Sequence, residues 1–194
     1  MGRISVFQNV SLDGVMQGPG RLDEDTRHDF AHGGWANGYQ DEVSMRFAAE
    51  GMSGGGALLF GHRTYLDMLG FWTTTSEPNP FTEVLTATPK YVVSRSADTE
   101  LAHPNSRLLA GEASETVPAL LQEVEEDLTI MGSGQLVRAL HVVGLIDEYI
   151  LQIHPLLLGS GTRLFGDDGE CRALALQRSQ VTTTGVIIAQ YSTS

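Results

Sequence analysis

The stretch Ala-Leu-Leu-Phe-Gly-His-Arg-Thr, residues 57–64, runs an apolar segment directly into Gly61, His62, Arg63 and Thr64. Read loosely, Gly56-x4-Gly61 followed by basic residues and a threonine resembles a nucleotide-triphosphate loop. That loop needs four free residues between its glycines, then a lysine and a Ser or Thr. Here the four are Ala57–Phe60, which read as a buried strand, and the chain's one lysine is Lys90. A simpler chemistry survives. A strand ends at Gly61 and a helix starts at once, so unpaired N–H groups and the positive end of the helix dipole face an anion. The same residues can also serve as a Thr64 cap with a solvated Arg63.

Two more strand ends carry related residues. Gly132, Ser133 and Gly134 stand between an apolar run and a helical stripe that begins with Gln135 and Leu136. Small residues there let backbone approach a diphosphate closely. A full dinucleotide fingerprint would place another glycine at position 137, where this chain has Val137. The third end is Ser94-Arg95-Ser96, and a hydroxyl beside a guanidinium suits a phosphate monoester such as that on the adenosine ribose of NADPH. Ligands of open α/β sheets sit outside the carboxyl ends of strands.

The segment Ser-Leu-Asp-Gly-Val-Met-Gln-Gly-Pro-Gly, residues 11–20, leaves the first strand through Asp13-Gly14. Its glycines suit a lid that closes over a reacting site, or a local turn organised by Asp13. Asp13 is the candidate to orient or relay a proton, with water as the alternative source. Trp35, Tyr39, Phe71 and Trp72 stand in two long segments, 16–39 and 70–81, and could line an apolar substrate pocket or pack on the core. No metal site is expected, because the six histidines show no zinc-binding spacing. His154, in an apolar strand before Pro155, is expected to point out of the sheet. No Gly-x-Ser-x-Gly nucleophile turn occurs.

These residues need elements to place them. β-branched and apolar runs predict strands over Ile4–Asn9, Ala57–Phe60, Tyr91–Ser94, Leu128–Met131 and Glu148–Leu157, then a terminal pair, Ala173–Val181 and Gly185–Tyr191. Val117, Leu120, Leu121 and Val124 form one helical stripe; Leu136, Val137, Leu140 and Val143 form another, closed by Gly144. Helices are also expected over Gln40–Glu50 and Arg63–Leu69. Strands alternating with helices, followed by a late hairpin, predict an α/β sheet that is mostly parallel with an antiparallel end.

With 194 residues the chain is expected to form a single domain, 1–194. A net charge of −12 argues against nucleic acid and anionic membranes, whose phosphates need a basic surface. One cysteine, Cys171, excludes an internal disulfide and suits a reducing cytoplasm. No apolar run is long enough for a membrane span.

Taken together, "SLDGVMQGPG", "HGGW", "LLFGHRTY", "PKYVVSRS", "IMGSGQLVRAL", "IDEYILQIHPLLLGSGTRLF" and "TGVIIAQY" resemble the dihydrofolate-reductase-like superfamily. Within it the chain is most similar to the reductase domain of the riboflavin-pathway enzyme (the RibD C-terminal domain family) and its stand-alone bacterial relatives. The resemblance implies a three-layer α/β/α domain, bound NADPH and a small-molecule substrate. Gly61, His62, Arg63 and Thr64 match the turn beside the adenosine phosphates, and Ser94 with Arg95 the turn near the ribose 2′-phosphate. Gly132, Ser133, Gly134, Gln135 and Leu136 match the diphosphate turn. Asn9, Val10, Asp13, Val15 and Met16 match the region flanking the nicotinamide. It further implies a homodimer, with Glu148–Leu157 as the pairing strand. The activity expected is reduction of a small, heterocyclic C=N or C=O compound. Reduction of the ribosylaminopyrimidine of riboflavin synthesis or of dihydrofolate, and nucleotide binding without turnover, remain open beside it.

Overall fold

The computed structural model describes residues 2–52, 55–75, 80–166 and 171–193. Eight strands form one sheet: β1 (Ile4–Ser11), β2 (Ala57–Gly61), β3 (Lys90–Ser94), β4 (Ser106–Ala110), β5 (Leu128–Met131), β6 (Glu148–His154), β7 (Leu174–Val181) and β8 (Ile187–Thr193). Their order is β4-β3-β2-β5-β1-β6-β8-β7. β2 pairs in parallel with β3 and β5, and β3 with β4. At the other end β8 runs antiparallel to both β6 and β7. Among the described residues five α-helices flank these strands: α1 (Glu42–Met52), α2 (His62–Thr74), α3 (Pro80–Ala87), α4 (Ala113–Glu123) and α5 (Gly134–Val142). The mostly parallel sheet with an antiparallel C-terminal end is the expected fold class. None of the described helices is long and apolar enough to cross a membrane.

The chain divides into two compact units, and the division falls inside β1. The first comprises Met1–Ser5 and Gly55–Ile146. Its β2 is buried from Ala57 through Phe60, as a parallel interior strand demands. Leu58, Phe60 and Val92 pack against Tyr65 and Leu69 of α2 and Leu85 of α3. In α4 the stripe Val117, Leu120 and Leu121 is buried as its spacing predicts. Gly144, at φ 71°, follows the end of α5 and donates its N–H to His141 O, the left-handed stop that glycine favours.

Lys90 is buried at the start of β3, 1% exposed. Its Nζ donates to the carbonyls of Leu85, Thr86 and Thr88 at 2.9, 3.1 and 2.7 Å. These oxygens close the last turn of α3, where a helix has no N–H left to offer. The one lysine is therefore a helix cap, and burial pushes its pKa down.

The second unit comprises Val6–Gly54 and Asp147–Ser194. Phe47 of α1 packs with Val186 and Ile188, joined by Phe7, Tyr39 and Ile150. Asp41 starts α1: its Oδ1 accepts the Ser44 N–H at 2.8 Å while Ser44 Oγ accepts the Asp41 N–H at 2.9 Å. Its other oxygen takes the N–H and the hydroxyl of Thr183.

Three points differ from expectation. The segment 70–81 is not a loop: α2 continues to Thr74 and α3 begins at Pro80, a residue whose fixed φ suits a first helical position. The remainder of that segment, residues 76–79, lies outside the described residues. β4 escaped notice because Ser-Arg-Leu-Leu-Ala is a short strand at the sheet's edge with little β-branched character. β6 lies between β1 and β8, so its two hydrogen-bonding edges are used and it cannot pair copies edge to edge. At the antiparallel end the outermost strand is β7, where Leu176 and Val181 are 57% and 68% exposed.

Candidate functional site

The first unit collects three turns that are far apart in sequence. β2, β3 and β5 are parallel neighbours, so their carboxyl ends emerge on one side of that unit. The Gly61 N–H donates to Ser133 Oγ at 2.8 Å, which joins the turn after β2 to the turn after β5. A Cβ at Gly132, itself at φ 72°, would stand 3.0 Å from Thr64 Cγ2. Ser133 holds φ 64° and ψ 56° as the residue before α5. A left-handed serine costs about 1 kcal/mol or more, and its Oγ contact to the neighbouring turn offsets that strain.

Neither Gly61 before α2 nor Ser133 before α5 supplies a side-chain cap. The opening N–H groups at His62, Arg63 and Thr64, and those at Gly134, Gln135 and Leu136, therefore have no side-chain acceptor among the described residues. Arg63 is exposed and has no ion-pair partner among the described residues. This is an arrangement suited to a polyanion, held by two helix starts and one unpaired guanidinium.

The third turn differs from expectation. Ser94 Oγ is 2.7 Å from Thr99 Oγ1 and accepts the Ser96 N–H at 3.3 Å. Arg95 does not stand free beside it: its Nε donates to Glu112 Oε1 at 2.8 Å, with both side chains mostly exposed. An exposed pair of this kind contributes at most about 1 kcal/mol, so a phosphate can compete for the guanidinium.

In the second unit, Asp13 joins its own loop to the segment after β6. Oδ1 accepts from Ser11 Oγ at 2.6 Å and Leu158 N at 3.1 Å, and Oδ2 accepts from Gly159 N at 2.9 Å. The Ser11 hydroxyl, aided by the two backbone donors, lowers its pKa to about 2 against a smaller opposing effect of burial. A carboxylate ionised down to that pH is a poor proton donor, so its geometry is that of an orienting anchor.

The loop after β1 is clasped rather than free. Met16 N donates to Thr162 O, Leu164 N to Gly14 O, and Val15 bridges Arg163. Gln17, overlooked in the sequence, is the hub. Its Nε2 donates to the carbonyls of Asp25 and Arg27, and its Oε1 accepts from Thr162 N and Oγ1. Trp35 Nε1 donates to its carbonyl at 2.7 Å. Val10 and Val15 are buried, and both backbone groups of Val15 bond to Ser11, which ties the loop to the end of β1.

The four aromatic residues are divided between the two units. Phe71 and Trp72 stand on α2 of the first unit, where Trp72 packs edge-on against Phe81 at 5.1 Å. Trp35 and Tyr39 belong to the second unit and meet His154 edge-on at 5.1 and 5.3 Å. His154 does not point to solvent: it is 4% exposed, with Nε2 3.0 Å from Asn9 Oδ1. Burial lowers its pKa to about 4. The one sequence signal was a polar side chain closing an otherwise apolar strand. A cleft of about 220 Å3 in this unit is lined instead by Gln17, His28, Phe30, Ser160, Gly161 and Thr162. Among the described residues no cluster of three or more His, Cys, Asp or Glu could hold a metal ion.

Residues 3–188 match the family model of the RibD C-terminal domain. Over 142 residues the chain is 28% identical to the uncharacterized protein YyaP of Bacillus subtilis (strain 168), covering 69% of this chain and 72% of that one. It is similar in structure to a putative riboflavin biosynthesis protein from Shewanella sp. PV-4, with a TM-score of 0.69, 22% identity, and coverage of 100% of this chain and 99% of that one. A pyrimidine reductase-like protein from Corynebacterium diphtheriae superposes with a TM-score of 0.68 at 12% identity, over 100% and 92% of the two chains. At these identities the structural likeness speaks for the fold.

Proposed function

The chain belongs to the RibD C-terminal domain family, and from that premise we propose that it is an NADPH-dependent reductase of a small, heterocyclic C=N or C=O compound. The observation that carries this reading is the joined pair of uncapped helix starts after β2 and β5, with exposed Arg63 beside them. The residues fit the group. His62, Arg63 and Thr64 with Gly134, Gln135 and Leu136 would hold the diphosphate through backbone N–H groups and one guanidinium. Ser94 and Arg95 would take the 2′-phosphate once Arg95 leaves Glu112.

Bound NADPH supplies the hydride; the protein supplies orientation and a dry, polarised surround. Asn9 and Met16 are assigned to the reacting end by the family resemblance. Asp13 keeps the 158–159 segment in place, and water provides the proton. A riboflavin-pathway substrate is the first compound to try, because proteins of similar structure are described as a putative riboflavin biosynthesis protein and a pyrimidine reductase-like protein.

The test is titration of the full chain with NADPH and NADH, then a carbonyl and imine panel including the ribosylaminopyrimidine, followed by cofactor absorbance. The reading expects tighter binding of NADPH and oxidation of it by at least one compound. Absence of dinucleotide binding would overturn it. Tight binding with no turnover across the panel would leave a nucleotide-binding protein instead.

A further inference from the structure

Asn9 on β1 and His154 at the end of β6 form a buried polar pair walled by two aromatic rings. The Trp35 and Tyr39 rings meet the imidazole at interplanar angles of 89° and 88°. His154 Nδ1 is buried and has no hydrogen-bond partner among the described residues. An orphaned buried N–H is rarer in folded proteins than an orphaned acceptor, so the ring proton belongs on Nε2. Nε2–H then donates to Asn9 Oδ1 across the 3.0 Å contact. The ring is neutral at pH 7, since burial holds its pKa near 4.

That tautomer decides what Asn9 can offer. Its side-chain acceptor faces His154, and its two Nδ2 protons have no acceptor among the described residues. Asn9 is only half-buried, so those protons can be reached. Rotating the amide would place Nδ2 against Nε2 and force the ring proton onto buried Nδ1, where nothing accepts it. The aromatic walls keep the imidazole from turning away. Asn9 is thus a donor by construction, with His154 deciding its polarity.

We propose that His154 is a positioning residue that fixes Asn9 as a hydrogen-bond donor to the carbonyl oxygen or imine nitrogen of a small neutral substrate. This rests on the reductase reading, in which NADPH is the reductant. As the substrate carbon receives the hydride, the π electron pair moves onto that oxygen or nitrogen. Asn9 Nδ2–H stabilises the charge that develops there, and water then supplies the proton. A donor presented in this way accepts C=O and C=N ligands and disfavours rings that offer only N–H.

The test uses NMR on the 15N-labelled full chain, with two fragments as probes. N-methylpyrrolidone offers an acceptor only, and pyrrole a donor only. The expected results are an Nε2–H tautomer for His154 and a response of the Asn9 Nδ2 protons to N-methylpyrrolidone but not to pyrrole. His154→Phe, which keeps a ring between Trp35 and Tyr39, should weaken N-methylpyrrolidone binding about tenfold, the value of one hydrogen bond. His154→Gln, which retains an N–H donor, should recover part of that loss. Added to Asn9→Asp, His154→Phe should cause little further loss, because both act through one amide. An Nδ1–H tautomer, an equal response to the two probes, or full additivity of the two substitutions would overturn the proposal. No probe here requires NADPH, so a chain that passes these tests yet binds no dinucleotide would refute the reductase reading separately. For a carbonyl substrate found in the NADPH screen, His154→Phe should lower kcat while leaving NADPH affinity unchanged.

Discussion

Ser133 Oγ accepts the Gly61 N–H at 2.8 Å, a bond between two turns 72 residues apart. It exists because β2 and β5 are parallel neighbours, with Leu59 level with Ile130. Ser133→Ala removes the hydroxyl oxygen that takes this donor, and should destabilise the chain by about 1 kcal/mol in denaturant unfolding. Gly132→Ala should cost more. Its Cβ would sit 3.0 Å from Thr64 Cγ2 at a φ of 72°, so both space and backbone oppose it. Both variants should also weaken NADPH binding; unchanged affinity would show that these turns do not hold the cofactor.

Arg63 and Arg95 should not contribute equally to cofactor choice. Arg95 begins in a bond to Glu112, whereas Arg63 begins unpaired among the described residues. Arg63→Ala is expected to weaken NADPH about tenfold or more, as loss of a charge-assisted phosphate contact implies. Arg95→Ala should weaken it less, and should leave NADH unaffected if it reads the 2′-phosphate alone. Glu112→Gln should tighten NADPH and leave NADH unchanged. Isothermal titration with both cofactors decides the matter, and equal losses for the two would remove the 2′-phosphate assignment.

Lys90→Met should be among the most destabilising single changes. The methionine fills similar volume but removes the ammonium donor from three carbonyls at the end of α3, and among the described residues only Thr86 O keeps a second one, Asn105 Nδ2 at 3.4 Å. A loss of roughly 2–3 kcal/mol is expected, measured by urea unfolding. A loss below about 0.5 kcal/mol would mean that water reaches those carbonyls and that the cap is dispensable.

Stability should fall with acid in two windows. His154 has a folded pKa lowered from 6.5 to about 4, so between these values the unfolded chain binds more protons than the folded one. Stability therefore rises with pH across that window and falls as pH drops from 6.5 toward 4, by no more than about 3 kcal/mol. Asp13, lowered from 3.8 to about 2, contributes stability above pH 3.8 that is lost as pH falls toward 2. His154→Phe should flatten the upper window and leave the lower one. Urea midpoints from pH 3 to 8 would show this, and an unchanged upper slope would count against a buried neutral imidazole.

The homodimer implied by the family resemblance is a further proposal to test, and the outer edge of β7 is the surface it would use. Leu176 is paired with Tyr191 and Val181 with Ile187, and the β7 residues are largely exposed. Light scattering of the wild type should report a dimer, and Leu176→Glu with Val181→Glu should convert it to a monomer. A monomeric wild type would end the proposal.

Much of this was legible in the chain itself. Period-2 and period-3.6 patterns located seven of the strands and four of the helices, because burying an apolar face dictates those spacings. The three Gly-, Ser- and Arg-bearing strand ends were visible for the same reason, each following an apolar run. What spacing could not carry was who meets whom. Whether Arg95 is free or bound to Glu112, whether His154 faces solvent or Asn9, and whether Lys90 is a surface charge or a buried cap depend on partners far away in sequence. Helix α3 hid behind a proline that looked like a loop, and Gln17 looked like any polar loop residue until six hydrogen-bonding contacts closed on it. Local sequence determines which face of a strand or helix must be buried. Only the tertiary structure determines which polar atoms that burial leaves facing one another, and so which of them remain for a ligand.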